Sequence, residues 1–270
     1  AKEKIKKFNL NKDTRIYSDY KNMLDNEELD IIEILLPHYL HAEVVVYAAK
    51  KQVKVISVQK PMALNLDQAD EMIEECKKSQ SILSIFENFL FAPHLLKAKE
   101  LLDSDYIGDP SSIRIKTAMG AIGGWKVPES AKKWRKDPNT AGGDERGSPV
   151  LLDNAWHSFV LASWIFGEEI EKVFAWTGNY NGLDAPAYVM FKYKQIREHV
   201  VPQYGHLELS LMPEMQIPSK YYPTDEFIEI IGSRGIIKIN QGTSIGNKMS
   251  ESEIFAPIVI IRDGKVETFG

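Results

Sequence analysis

Cysteine is nearly missing: the 270 residues hold one, Cys76, inside the stretch DQADEMIEECKKSQ. A single thiol cannot close an internal disulfide or build a cysteine metal cluster, so a disulfide-stapled fold is excluded and a reducing, cytoplasmic compartment is the expectation. Long hydrophobic runs are missing as well. No stretch approaches the roughly 18 apolar residues of a membrane span, and the opening AKEKIKKF has no apolar segment behind its charges. There is no excess of positive charge: Lys+Arg is 33 against Asp+Glu 38, a net charge of -5, with the signs interspersed. That balance argues against nucleic acid as a partner, and neither membrane nor nucleic acid is expected. Absent too are the nucleophile elbow of serine hydrolases, the Walker phosphate loop and the GxGxxG fingerprint. The nearest glycine cluster, Gly120 to Gly124, follows a strand of the antiparallel kind and does not open a helix.

What is present is 44% hydrophobic and 26% charged residues, enough for one large or two ordinary domains. Residues 1–108 alternate β-rich runs (RIYS at 15–18, DIIEILLP at 30–37, VKVISV at 53–58, ILSIFEN at 82–88) with helical ones (41–52 and 66–79). This alternation predicts a parallel sheet with crossover helices, its strands covered on both faces. Ligands of such sheets sit beyond the carboxyl ends of the strands. Those ends carry Pro37-His38, Gln59-Lys60-Pro61 and Glu87-Asn88. Beyond Gly108 the strand-like runs 112–120, 171–180, 187–194, 226–239 and 256–270 come with hairpin turns such as Gly232-Ser233-Arg234-Gly235 and Asp263-Gly264, which predicts an open, mostly antiparallel sheet over 109–270. The boundary is expected at 108–110. Between the strands lies a long, glycine-rich loop, 121–147, with Trp125 and Trp134 on it.

One helix, 149–166, is delimited by Ser148 as a cap, Pro149 in its first turn and Gly167 as its stop. Asp153 and His157 are four residues apart on it and share a face. Such a pair suits general acid/base chemistry. The competing account makes Asp153 an N-terminal acid favoured by the helix dipole and His157 a hydrogen-bonded, semi-buried residue. Leu151, Leu152, Trp156 and Phe159 make the rest of the helix apolar, so two ionisable groups here ask for a reason. Lys60, at a strand end before Pro61, suits donation to a substrate oxygen or a cofactor, or is a plain solvent lysine. His38 and His41, three apart, lack two further ligands in register, so no metal site is expected.

Taken in order, LLPHYLHAEVVVYAAKKQVKVISVQKPMALNLDQA, ENFLFAPHLLKAKELLDSDYIGDPSSI, WRKDPNTAGGDERGSPVLLDNAWHSFV and DEFIEIIGSRGIIKIN resemble the Gfo/Idh/MocA family of NAD(P)-dependent sugar and cyclitol dehydrogenases over nearly the whole chain. The resemblance implies an α/β fold: a partial Rossmann-type parallel sheet, then an α+β domain whose open sheet serves substrate binding and assembly into a homodimer or homotetramer. It implies NAD or NADP at Leu36, Pro37, His38, His41, Gln59, Lys60 and Asn88. Lys60 takes the place of the lysine near the reacting carbinol, His157 that of the general base, and Asp153 that of its partner or a substrate ligand. Trp134, Arg135 and Asn154 fall beside a polyhydroxylated substrate. Three departures from the family pattern stand out. The opening strand, glycine-rich turn and helix are not in this sequence, so the chain reads as missing an N-terminal segment; the closing helices are not in it either; and Gln59 stands where the family has glutamate. A sensor on the same fold would have no need of Lys60, Asp153 and His157 together, and an imine reductase could dispense with His157.

Overall fold

The structure is a computed structural model that describes residues 2–9, 13–122, 133–135, 137–142, 150–194, 201–217, 223–242 and 258–269. The chain divides into two compact units, Ala1–Phe86 and Glu87–Gly270.

In the first unit the β-branched runs form β1 (Ile31–Ile34), β2 (Val55–Gln59) and β3 (Ile82–Phe86), paired in parallel in that order. Helices α1 (Lys2–Lys7) and α2 (Tyr20–Asn26) precede them, and α3 (His41–Lys50) and α4 (Leu66–Ser79) make the crossovers. The α4 helix begins where the Asn65 side chain accepts the Gln68 N–H at 2.9 Å and ends at Gln80 in the left-handed region, φ 59°. Val45, Ala48, Ala49, Met72 and Cys76 of the helices bury Ile32, Ile34, Ile56 and Val58. Only that face is covered. Ile31, Ile82 and Phe86 on the alternate positions are exposed, so the expectation of strands covered on both faces fails among the described residues. Residues 15–18 join no sheet among the described strands.

The second unit holds α5 (Pro93–Asp103), α6 (Pro138–Ala141) and α7 (Val150–Phe166) with eight strands: β4 (Pro110–Ile122), β5 (Ile170–Thr177), β6 (Ala187–Tyr193), β7 (Tyr204–Gln216), β8 (Thr224–Gly232), β9 (Gly235–Gly242), β10 (Ile258–Arg262) and β11 (Lys265–Phe269). They form one sheet in the order β11-β10-β9-β8-β4-β7-β6-β5, antiparallel except for β4 beside β7. Its inner face (Ile113, Ile115, Val189, Phe191, Leu207, Leu209, Ile228, Ile230) packs with α5 and α7. The strand β7 was not expected from sequence. Its Leu207 and Leu209 point inward, but Gly205, His206 and Glu208 dilute the strand pattern; a Cβ at Gly205 would stand 1.9 Å from the Phe191 ring, so only glycine lets the two strands meet.

The boundary expected at 108–110 falls inside this unit, because Leu95, Ala98 and Leu101 of α5 belong to its core. Gly108 instead marks a tight turn, φ +72°, locked to the β8–β9 hairpin by Arg234 N donating to Ile107 O at 2.8 Å.

Glu226 lies opposite Thr117 on β4 and two residues before Ile228, on the inner face. Its Oε2 is sealed from solvent with no hydrogen-bond partner among the described residues. Burial, with the Asp225 charge adding to it, pushes its acid from the ordinary 4.5 up to about 7. A carboxyl raised in this way contributes stability that is fully present below its unfolded value and is lost as pH rises through the folded one. Glu226→Gln is therefore expected to flatten the fall of the denaturant midpoint between about pH 4.5 and 7. An unchanged pH slope in that variant contradicts this assignment.

Candidate functional site

The first unit offers the crest of its parallel sheet. Beyond β1, Leu35 and Leu36 are exposed; beyond β2, the Gln59 side chain accepts the Lys60 N–H at 2.9 Å, and the Lys60–Pro61 bond is cis. His41, in the first turn of α3, ties the two strand ends together: Nδ1 lies 2.9 Å from Pro61 O and Nε2 2.8 Å from Leu36 O. A neutral ring can donate to one of these carbonyls, a protonated ring to both. His38 sits against it, ring centroids 5.7 Å apart. The resemblance put both histidines at the cofactor's edge. Their side chains are buried, so His41 acts through the backbone of Leu36 and Pro61 that it holds. Lys60 and Gln59 are half-buried; Asn88, which belongs to the second unit, is exposed. Among the described residues no group of three or more His, Cys, Asp or Glu could hold a metal ion.

The second unit offers α7. Its first free N–H groups need acceptors, and the carboxylate of Asp184, from the loop between β5 and β6, supplies one. Asp184 Oδ1 accepts from Val150 N and, at 3.1 Å, from Leu151 N. This cap comes from across the fold. Ser148 and Pro149, read as the cap and first turn, lie outside the described residues, as does Trp125. At the other end Tyr193 Oη donates to Ala162 O at 2.9 Å, and Gly167 stops the helix at φ +67°.

On this helix His157 donates or accepts at Nδ1 toward Glu87, 2.8 Å from Oε1 and 2.9 Å from Oε2. The Phe89 ring stacks on the imidazole with centroids 4.9 Å apart. Asp153 was expected to be the partner of His157 or a substrate ligand. It forms an ion pair with Arg135 Nε at 3.2 Å, and Arg135 lies over the Trp134 ring, 4.4 Å from its centroid. Trp134 is itself held by Thr140 Oγ1 donating to its carbonyl at 2.6 Å. Asn154 stands exposed beside this array.

Sequence reasoning missed Glu87 as the histidine's partner, although its place at the end of β3 was marked. The two are 70 positions apart, and no spacing rule links them. Chemically, one unit presents an ammonium at a sheet crest, and the other an imidazole that can take or give a proton, beside an Arg–Asp pair able to bind polar groups.

Removal of the Asp184 cap is expected to destabilise the fold by about 1–2 kcal/mol, the usual cost of a lost N-cap. Asp184→Ala should show this in denaturant unfolding and Asp184→Asn should recover most of it; an Ala variant as stable as the parent contradicts the cap's role.

Comparison with known proteins gives the same division. The model for the NAD-binding Rossmann fold of the GFO_IDH_MocA oxidoreductase family matches residues 1–87, and the GFO/IDH/MocA C-terminal domain model matches 95–238. Myo-inositol 2-dehydrogenase of Thermotoga maritima is 32% identical over 161 residues, covering 60% of this chain and 43% of that protein. Trans-1,2-dihydrobenzene-1,2-diol dehydrogenase of Xenopus tropicalis is 26% identical over 99% of this chain and 69% of its own length. An oxidoreductase from Agrobacterium radiobacter, solved with NAD+, L-tartaric acid and magnesium, shares the fold at a TM-score of 0.76 and 18% identity, with 99% of this chain and 68% of that one covered. The chain spans less than half the length of the myo-inositol relative. With the crest of β1–β3 under one family domain and the histidine-bearing helix under the other, the chain belongs to the Gfo/Idh/MocA oxidoreductase family.

Proposed function

We propose that the chain is an NAD(P)-dependent oxidoreductase that moves a hydride between nicotinamide and a secondary hydroxyl carbon of a sugar, sugar acid or cyclitol. The observation that carries this reading is the clamped His157, an acid/base group fixed by Glu87 and Phe89 within the family's C-terminal domain. The family's N-terminal domain binds NAD, and the crest fits a dinucleotide: exposed Leu35 and Leu36 suit a ring face, and the half-buried Gln59 amide suits a ribose hydroxyl without the charge of the family's glutamate. Leu36, Pro37, Gln59, Lys60 and Asn88 would hold the cofactor. When bound, the nicotinamide supplies the hydride chemistry.

The chain's own residues supply the proton and the charge. In oxidation His157 takes the hydroxyl proton, and the Lys60 ammonium stabilises the oxyanion that develops as it leaves. Arg135, ion-paired yet partly exposed, keeps donors for a carboxylate or hydroxyl of the substrate, with Trp134 behind it and Asn154 and Asp153 beside it. The dehydrogenase relatives act, by their names, on myo-inositol and a dihydrodiol, both with hydroxylated ring carbons, which favours this substrate class. No described helix is long and apolar enough to cross a membrane; a cytoplasmic site of action belongs to the same reading.

In the reaction assay, reduction of NAD+ or NADP+ with a panel of sugars and cyclitols, His157→Ala and Lys60→Ala are each expected to lower kcat by about 10²-fold or more. Dinucleotide affinity should change far less. Near-normal turnover in His157→Ala overturns the assignment.

The uncovered face of the large sheet supports assembly. Phe174, Trp176, Tyr188, Met190 and Tyr204 are exposed on one face of β5–β7, Phe174 and Trp176 packed edge-on at 4.4 Å. Apolar patches of this kind mark interfaces, and a second copy is the occupant that closed symmetry favours. Trp176→Glu with Met190→Glu is expected to turn a dimer or tetramer into monomer in sedimentation; an unchanged mass contradicts it.

A further inference from the structure

Glu87 follows β3 directly and opens the ENFLFAP stretch. Its carboxylate is almost wholly buried, with a side-chain exposure of 9% against 21% for His157. Both oxygens face His157 Nδ1, at 2.8 and 2.9 Å, and Oε1 also accepts the Phe89 N–H at 2.8 Å. A carboxylate only accepts, so against the ionised form of Glu87 Nδ1 is the donor and the ring proton of neutral His157 sits there. Free imidazole rings choose between two tautomers; this one is held to the form with a lone pair on Nε2. The Phe89 ring, stacked at 26° on the imidazole, closes one face and hinders the ring from swinging away from the carboxylate. When Nε2 takes a second proton, the imidazolium is already paired with a buried anion.

We propose that Glu87 is the positioning residue of His157: it directs the ring so that Nε2 is the atom that exchanges a proton with the substrate hydroxyl. The inference deepens the dehydrogenase reading and rests on it for the identity of the substrate group. In oxidation the substrate O–H bond breaks as an Nε2–H bond forms, and the carbon's hydrogen leaves with its electron pair for the nicotinamide; reduction runs the same steps backward. Glu87 itself gains and loses no proton. The Asp153 carboxylate, one turn away on α7, is ion-paired with Arg135.

The test joins a spectroscopic readout to kinetics on the full chain labelled with 15N-histidine. Long-range proton–nitrogen spectra, with His157 assigned by its disappearance in His157→Gln, are expected to show a protonated Nδ1 and a bare Nε2. Glu87→Ala should move the ring toward the Nε2–H form. Its kcat should fall about 10- to 100-fold, within the reach of general acid/base effects, with KM and NADH affinity little changed. If the Ala variant does not fold, Glu87→Gln serves: the Phe89 N–H keeps the amide oxygen turned to Nδ1, so the tautomer stays while the lost charge lowers kcat. An Nε2–H tautomer in the parent protein overturns the proposal, as does parental kcat in both variants. Expected spectra from a parent that oxidises no alcohol with either dinucleotide would sink the dehydrogenase reading, and with it the catalytic part of this proposal, while leaving the orientation of the ring by Glu87 in place.

Discussion

The hydrogen bonding of His157 Nδ1 to the Glu87 carboxylate is the constraint on which the chemistry proposed for the second unit depends. They have meaning only because α7 itself cannot slide. Asp184 takes up its first N–H groups and the buried Tyr193 hydroxyl holds Ala162 near its last turn, so the helix is tied at one end to the loop before β6 and at the other to the last residue of β6. Burial pushes the Tyr193 phenol well above its usual range, which keeps it a neutral donor to that carbonyl. A histidine on a helix pinned in this way, stacked by Phe89 and fixed at one nitrogen, has one edge left to work with.

The first unit uses histidine in the opposite manner. His41 spends its ring nitrogens on Leu36 and Pro61 carbonyls and is shut away from any ligand, yet it joins the ends of β1 and β2, the two strand ends that a dinucleotide would approach. The two histidines thus differ in their surroundings: both ring nitrogens of His41 lie against carbonyls, whereas Nδ1 of His157 lies against a carboxylate.

Much of this architecture could be read from the chain, and the failures have physical causes. The α4 helix runs over the expected 66–79 because its caps are local: Asn65 and Gln80 act within a few residues. The strands β1–β3 and the β8–β9 hairpin were legible for the same reason, through short apolar runs and glycine turns. The strand β7 was not, since its fit depends on Gly205 meeting the Phe191 ring of a neighbouring strand, a contact that composition does not announce. Likewise His157 was recognised on its helix, but Asp153, its neighbour by spacing, belongs to Arg135. The histidine's partner Glu87 comes from the end of β3, just as Asp184, which accepts from the first N–H groups of α7, comes from the loop between β5 and β6. What is set by neighbours along the chain could be foreseen; what is set by chain crossings needed the fold. The family resemblance ran over both units, and the family models over 1–87 and 95–238 agree with it.

The central claim is that a nicotinamide dinucleotide is held at the crest of β1–β3. Fluorescence titration of the chain with NADH and, separately, NADPH tests it most directly. The account predicts saturable binding of at least one of them, weakened when Gln59 and Lys60 are both replaced by alanine. Flat titrations with both dinucleotides, on a chain shown by circular dichroism to be folded, would contradict it.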